Sequence, residues 1–449
     1  MTKIEKNVLS GIEKNRGILF FMIISLIGFF ARYVGFEFIS GDMKYCLMVW
    51  FDRIKDGGSL ASLKSQVGNY NILYQTLIAL MTYLKGNSVH LYKLLSIIFD
   101  YLLAFGTAKF VCLFYDNKNY EFRFNVVYTI ILMLPTVVFN SGYWGQCDSI
   151  YCFFLLMMMY YFYKEKYTLG FVFFGISLGF KFQAAFLLPF MICYYFYKKR
   201  FSILNFLLSV AVFWSTGIVG YLYGRNLLEP FKIYMTQSGT YKDMYKNALS
   251  FWALVCKQIT YNWEQLHICA MLLTLAICGL ALYVIMSGKM KMDTPERFLG
   301  VAAFTLWSLL LFLPEMHERY TYMLDIILIM MAFLNKRYIK YAIPSVLLSC
   351  MTYGRYLFFI ADFGVWPSAV YLALWGFFTY EFVKNNKTVS AKTAINSSVS
   401  TEQSEESGKR KMIKGSVEPA SEDGKDTDVH NQIETDITSE QTAELSEGN

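Results

Sequence analysis

The sequence predicts an all-α polytopic membrane protein with about twelve transmembrane helices, amphipathic helices on the outer face and a disordered C-terminal tail. Hydrophobic residues make up 55% of the 449 positions, and several apolar runs approach the roughly 20 residues that cross a bilayer. Short clusters of Lys and Arg separate these runs. Because short basic loops remain in the cytoplasm, the chain must cross the membrane twice between successive clusters.

The first apolar run follows a basic, cytoplasmic N-terminus, residues 1–16, and no small-residue cleavage site comes after it. It therefore predicts a retained first span of a membrane domain that covers residues 17–384, with both termini in the cytoplasm and the domain in a plasma membrane. The predicted spans are 17–35, 91–114, 124–140, 149–163, 168–181, 184–197, 202–222, 266–286, 298–313, 320–334, 341–360 and 366–382.

Two apolar segments of the first external loop, residues 36–90, do not fit this series of spans. Residues 70–84 number only about 15, fewer than a span normally needs, and counting them would reverse the side of the following basic loop. We therefore expect a helix on the outer face there. Residues 43–56 carry apolar side chains at helical spacing, which predicts an amphipathic interfacial helix.

The net charge of +7 conceals a split between a basic membrane domain and an acidic tail. Residues 401–449 hold 13 acidic and five basic side chains without apolar periodicity, so residues 385–449 are expected to form a disordered cytoplasmic tail. The remaining basic residues lie beside predicted spans, which predicts membrane lipids as partners and no nucleic acid. The nine cysteines lack metal-ligand spacing, and we expect neither a metal nor another cofactor.

The charge-based topology places most of the unusual polar residues in external loops. This concentration on one side of the membrane is the main functional signal in the sequence. It is independent of the topology prediction, which rests on Lys and Arg in other loops. The residues are Asp42, Trp144, Gln146, Asp148, Lys181, Gln183, Asn247, His317, Glu318 and Arg319.

Several of these residues also have a purely structural interpretation. Asp42 is either a partly desolvated carboxylate whose raised pKa suits a general base, or the N-cap of the helix that follows. Lys181 interrupts an apolar stretch and either meets an anion or extends to the interface. Arg319, in the stretch 314–323, is either a bidentate phosphate ligand or a solvated turn residue. Asp148 and Asn247 could cap helices, and His317 could be a solvated loop histidine.

Six stretches, taken in chain order, resemble the glycosyltransferase C superfamily of integral-membrane enzymes that use polyprenyl-phosphate sugars, and its bacterial mannosyltransferase-like members in particular. The second stretch lacks both prolines of the family's Tyr-Pro-Pro-Leu-Tyr type segment. The stretches are Ser40-Gly41-Asp42, Asn69-Tyr70-Asn71-Ile72-Leu73-Tyr74, Tyr143-Trp144-Gly145-Gln146-Cys147-Asp148-Ser149, Lys181-Phe182-Gln183 followed by Leu187-Leu188-Pro189, Asn247 to Trp252, and Met316-His317-Glu318-Arg319-Tyr320.

The resemblance implies inverting transfer of a hexose, such as mannose, from a polyprenyl-phosphate donor to a hydroxyl of a glycan, lipid or protein at the outer membrane face. Asp42 would be the general base, and Arg319, His317 and Lys181 would bind the donor phosphate. The substrate pocket would be formed by Trp144, Gln146, Asp148, Gln183, Asn247 and Glu318. A transporter or flippase of lipid-linked sugars, or a non-catalytic lipid-binding relative, is the alternative.

Overall fold

The computed structural model describes residues 1–237, 242–257, 260–360 and 362–386, and helices dominate this part of the chain. The helices before residue 200 are α1 (Lys3–Lys14), α2 (Arg16–Tyr33), α3 (Met48–Asp56), α4 (Ile72–Met81), α5 (Ser88–Cys112), α6 (Tyr120–Leu132), α7 (Pro135–Val138), α8 (Asp148–Tyr163), α9 (Tyr167–Phe180) and α10 (Leu188–Lys198). Short π-helical turns, Met43–Leu47 and Phe139–Trp144, precede α3 and follow α7.

The second half of the described chain adds further helices and one small sheet. The helices are α11 (Leu204–Ser215), α12 (Ile218–Leu222), α13 (Glu229–Gln237), α14 (Phe251–Cys256), α15 (Trp263–Met286), α16 (Pro295–Phe312), α17 (Tyr322–Leu334), α18 (Ile339–Phe358) and α19 (366–386). Strands β1 (Tyr245–Lys246) and β2 (Met316–His317) pair in parallel. This pair fixes the loop before α14 against the loop between α16 and α17.

The described chain is an all-α membrane protein. By length and composition, four helices can cross a membrane: α2, α5, α15 and α16. The pair formed by α6 and the segment Pro135–Trp144, bent by 54°, is a fifth candidate. Other apolar helices, including α8, α9 and α17, are shorter than a full span. The helical membrane character is therefore confirmed, whereas the number of spans supported in this way is four or five.

The predicted amphipathic segment 43–56 is helical, but its apolar side faces protein. Met43, Leu47, Phe51 and Ile54 are all buried in the main hydrophobic core, which also contains side chains of α4 and α5. Burial of the apolar stripe within the protein explains the helical spacing without a lipid surface. The short segment 70–84 contains helix α4, whose residues are also mostly buried.

The ends of the helices separate into two groups. Helices α8 and α17 begin near Asp148 and Arg319, and α9 and α18 return to the same region. The opposite ends are joined by ion pairs that involve basic residues, such as Lys198 with Glu165 at 2.6 Å and Lys340 with Glu381 at 2.7 Å. The bundle therefore has one end rich in such basic pairs and another end where the predicted site residues lie.

Helix α19 extends beyond the predicted domain limit at residue 384. Asn386 is 2% exposed, and its side chain exchanges two hydrogen bonds with the backbone of Lys291. The folded domain therefore includes residues 385 and 386, whereas the sequence predicts that the tail begins at residue 385. The rest of the predicted tail lies outside the described residues.

Candidate functional site

Asp42 accepts three hydrogen bonds from distant parts of the chain. Trp144 Nε1 and Gln146 Nε2 donate to Oδ2 at 3.0 and 2.7 Å, and the Tyr356 hydroxyl donates to Oδ1 at 2.6 Å. The side chain remains 29% exposed. It makes no capping hydrogen bond. The backbone N–H of Met43 bonds Ser40 Oγ instead, at 3.2 Å. Of the two interpretations of Asp42, the structure therefore excludes the helix cap.

The loop that carries Trp144 and Gln146 approaches the end of α2 closely because both contact surfaces contain glycine. A Cβ atom on Gly142 would lie 2.9 Å from Cα of Arg32, and one on Gly35 would lie 2.7 Å from the carbonyl oxygen of Gly142. Gly145 adopts a left-handed conformation with φ of 72°. The sequence Gly-Tyr-Trp-Gly thus allows both a backbone contact and a sharp exit from the π-helical turn.

Arg319 lies between three carboxylates. Its Nη1 atom is 3.3 Å from Glu318 Oε1 and 3.7 Å from Asp42 Oδ2, and its Nε atom is 3.5 Å from Asp148 Oδ2. The guanidinium also lies over the Trp144 ring, 5.3 Å from its centroid. Among the described residues, Nε has no partner in hydrogen-bonding geometry. The buried guanidinium is therefore held by its hydrogen bond to Glu318 and by the charges of Asp42 and Asp148, while its buried Nε donor lacks a hydrogen-bond acceptor.

Asp148 is completely buried at the first residue of α8. Oδ1 accepts a hydrogen bond from Lys181 Nζ, and Oδ2 accepts one from Asn140 Nδ2 at 2.8 Å. Lys181 follows α9 in an extended conformation that ends the helix. The Asp148 carboxylate thus lies between Lys181 and Arg319 and holds both in place. Both of its buried oxygens already bind protein groups.

The electrostatics of Asp42 differ from the raised pKa that we predicted. Burial tends to raise the pKa of the carboxyl, but the Arg319 charge and the hydrogen bonds from Tyr356 and Trp144 outweigh it and lower the pKa below its usual value. Asp42 is consequently ionised at neutral pH. Desolvation alone would raise the pKa of Asp42, and the partners that lower it come from segments remote in the chain, so the sequence does not reveal them.

His317 and Glu318 respond in opposite ways to the same environment. Burial, together with the positive charge of Arg319, lowers the pKa of His317 to about 3, so its imidazole is neutral near pH 7. Burial also raises the pKa of Glu318, although Arg319 opposes the shift. His317 can therefore supply a hydrogen bond to an anion but no charge, and Arg319 and Lys181 are the cations among the ten predicted site residues.

A cavity of about 410 Å³ lies beside this cluster. Its polar wall includes Lys181, Gln183, His317 and Arg319, whereas Phe182 and Met271 are among its apolar residues. Gln183 Nε2 donates to the Tyr320 hydroxyl at 2.7 Å. Helix α15, which contributes Met271, is apolar and largely exposed. The cavity thus connects a cationic region with a surface suited to lipid.

A second cavity, of about 480 Å³, lies next to the β-sheet and includes Asn247. Asn247 forms an isolated backbone bridge with His317, so it adjoins the site without lining the first cavity. Lys257 and Arg355 line this second cavity and both bind Asp362, at 3.1 and 2.7 Å. Four of the ten predicted site residues therefore line the first cavity, and Asn247 lines the second. The other five line neither of these cavities and belong to the network of contacts around Arg319 and Asp42.

Tyr356 is the main site residue that the sequence did not identify. It stacks on Trp144 with centroids 4.4 Å apart and bonds Asp42, yet it lies near the end of an apolar segment where tyrosine is common. Tyr70 was quoted only as part of a motif. Its hydroxyl donates to Gln146 Oε1 at 2.9 Å and so orients the amide toward Asp42. Neither tyrosine has a local signal that separates it from an ordinary interfacial aromatic.

Within the described residues no group of three or more His, Cys, Asp or Glu side chains could hold a metal ion. A scan of the chain against protein-family models and a search of curated proteins each find no match.

Proposed function

We propose that this protein is an inverting membrane glycosyltransferase, related to the glycosyltransferase C superfamily, that transfers a hexose from a polyprenyl-phosphate donor to an acceptor hydroxyl. The observation that carries the proposal is the position of Arg319 between the partly exposed carboxylate of Asp42 and a cavity with polar and apolar walls. Such a transfer needs a base near the attacking hydroxyl and cations near the leaving phosphate, and Asp42 and Arg319 are the candidates for these two roles.

In the proposed reaction Asp42 takes the proton from the acceptor hydroxyl as its oxygen attacks the anomeric carbon. The bond from that carbon to the phosphate oxygen breaks, and the phosphate leaves with the electron pair. Arg319 and Lys181 stabilise the charge that develops on the phosphate. Attack opposite the leaving group inverts the configuration. The neutral His317 imidazole adds a hydrogen bond, and Asp148 keeps the two cations in position.

The lowered pKa of Asp42 suits an enzyme whose base becomes stronger when the donor binds. Arg319 lies 3.7 Å from Asp42 in the free protein and contributes to the low pKa. A bound phosphate competes for the same guanidinium, which weakens its effect on Asp42 and raises the basicity of the carboxylate. Deprotonation of the acceptor is thereby favoured when a donor occupies the site.

The proposal places the reaction at the outer face of a plasma membrane, with twelve spans and cytoplasmic termini. The collection of site residues at one end of the bundle, with paired basic residues such as Lys198, Arg337 and Lys340 at the other, supports this orientation. The lipid donor then approaches through the bilayer along the exposed apolar surface of α15.

The test uses the purified full-length protein with a short-chain prenyl-phosphate hexose and a panel of hydroxyl acceptors. We expect release of prenyl phosphate together with a glycoside of inverted anomeric configuration. Vesicles that contain the protein and a fluorescent prenyl-phosphate hexose test the alternative. Movement of the lipid across the bilayer without any transfer would favour a transporter, and binding with neither outcome would favour a non-catalytic lipid-binding protein.

A further inference from the structure

Three polar side chains are fully buried along one face in the first half of helix α5. They are Lys93, Ser96 and Asp100, separated by three and four residues, and we call them the α5 stripe. The spacing places all three on the same side of the helix. Polar and charged groups inside a membrane helix are costly unless they have partners, so the stripe needs an explanation. None of the three belongs to the motifs that the sequence brought forward.

Lys93 binds the segment that leads from α2 to Asp42. Its Nζ atom donates to the carbonyl oxygens of Gly35, Phe36 and Phe38 at 2.6, 2.9 and 2.6 Å. An ammonium group has three hydrogens, and these three carbonyl groups occupy all of them. A single side chain thereby fixes the backbone shortly before the proposed base.

Ser96 and Asp100 bind the other segment of the site, which carries Trp144 and Gln146. Ser96 Oγ donates to the backbone carbonyl of Gln146 at 2.7 Å, and its own carbonyl accepts from Ser149 Oγ at 3.0 Å. Asp100 Oδ2 accepts hydrogen bonds from the Ser141 hydroxyl and from Arg32 Nε. The second segment is therefore held at residues 141, 146 and 149.

We infer that the α5 stripe positions the base of this enzyme, by fixing the Asp42 segment and the Trp144–Gln146 segment to one rigid helix. This inference rests on the proposed function. The three residues do not contact Asp42, and they act through the backbone of the two segments. Their role is to keep Asp42 Oδ2 within hydrogen-bonding distance of Trp144 Nε1 and Gln146 Nε2, which lie on the other segment.

The most direct test compares two hydroxyl deletions on α5, Ser96→Ala and Thr107→Val. Thr107 is also fully buried, but its hydroxyl bonds the carbonyl of Leu103 in its own helix. For Ser96→Ala we expect kcat to fall about 10- to 100-fold, since a displacement of about 1 Å can cost on the order of 100-fold. The donor KM should stay within about threefold, because Arg319 and Lys181 are untouched. Thr107→Val should retain the wild-type values.

The pH profile separates positioning from a general loss of structure. If the Trp144–Gln146 segment shifts, Asp42 loses the Trp144 hydrogen bond that helps to lower its pKa. The acidic limb of kcat/KM should therefore move to higher pH in Ser96→Ala. Lys93→Met, which keeps a side chain of similar length without the ammonium, should move the limb in the same direction. Thermal melting in detergent identifies variants that have simply unfolded.

The outcomes are distinguishable. Two results would overturn the positioning inference and leave the proposed function standing. One is a folded Ser96→Ala protein with wild-type kcat and a wild-type acidic limb of kcat/KM. The other is an equal effect of Ser96→Ala and Thr107→Val. Absence of transfer by the wild-type protein would overturn the proposed function and this inference with it. A selective loss of kcat with a shifted limb in Ser96→Ala would support both.

Discussion

Asp42 owes its properties to groups that the fold brings from three separate segments. Because it makes no capping hydrogen bond, replacing it should not disturb the helix that follows. In Asp42→Asn the amide oxygen can still accept from Trp144 and Gln146, while the amide nitrogen can donate to the Tyr356 hydroxyl. We therefore expect normal expression and melting temperature, with a loss in transfer rate on the order of 10²–10⁴-fold, the usual contribution of a positioned base.

The measurement is a single-turnover transfer assay with bound donor. Binding of prenyl phosphate, measured separately, should change little, because Arg319 and Lys181 remain. A fully active Asp42→Asn protein would refute the mechanism proposed for Asp42 without affecting the fold.

Tyr356→Phe removes one hydrogen bond that lowers the pKa of Asp42. The pKa should rise toward its usual value, so the protonated, inactive form persists to higher pH. We expect the acidic limb of kcat/KM to move upward, with little change in rate near pH 7, where Asp42 is ionised in both proteins. Tyr353→Phe is the matched control, because the Tyr353 hydroxyl accepts from Asn140 at 3.2 Å and does not bond Asp42. An unchanged limb in Tyr356→Phe would contradict the assigned role.

The contact between α2 and the π-helical turn at residues 139–144 depends on a missing side chain. In Gly142→Ala the new Cβ would lie 2.9 Å from a backbone atom of Arg32, so the two backbones must separate. Overpacking of this kind costs about 1–3 kcal/mol, and we expect a lower melting temperature together with reduced transfer. Gly279→Ala in α15 is the control, because its Cβ would meet nothing within 4 Å. Equal melting temperatures for the two variants would disprove the steric argument.

The sequence predicted the all-α character and the polar residues that the fold gathers around Arg319, because apolar runs and polar interruptions are local features. It could not decide between a cap and a base for Asp42, since an aspartate before an apolar helix is compatible with both. The groups that bind the carboxylate in place of a capped backbone N–H are Trp144, Gln146 and Tyr356, which are remote in the chain. Lys93 and Asp100 were missed for a related reason. A charged residue within an apolar run does not reveal which loop it will bind.

The proposed orientation of the whole molecule in the membrane can be tested by labelling from one side. The exposed turn between α4 and α5, around residues 84–87, should accept an epitope tag that reacts with a membrane-impermeant reagent in intact cells. A tag in the exposed turn at residues 164–166 should react only after the membrane is permeabilised. Labelling with the opposite pattern would reverse the proposed orientation and place the site in the cytoplasm.

The limit of the folded domain can be tested by truncation. A stop after residue 389 retains Asn386 and its hydrogen bonds with Lys291, whereas a stop after residue 385 removes them. Losing buried hydrogen bonds costs about 1–3 kcal/mol. We therefore expect a lower melting temperature only for the protein that ends at residue 385. The protein that ends at residue 389 should retain transfer. If the protein that ends at residue 389 were much less stable than the full-length chain, the acidic tail would contribute to the fold.

The hydrogen bond from Tyr356 to Asp42 has a consequence for biosynthesis. Residue 42 is made early, but its third donor belongs to α18, which is among the last helices to be synthesised and inserted. Arg319 also comes late in the chain. A nascent protein therefore contains the carboxylate long before it contains the groups that set its charge and geometry. Under the proposed function, transfer would begin only after Arg319 and Tyr356 have been made and inserted, so molecules that lack these residues would not consume the lipid-linked sugar.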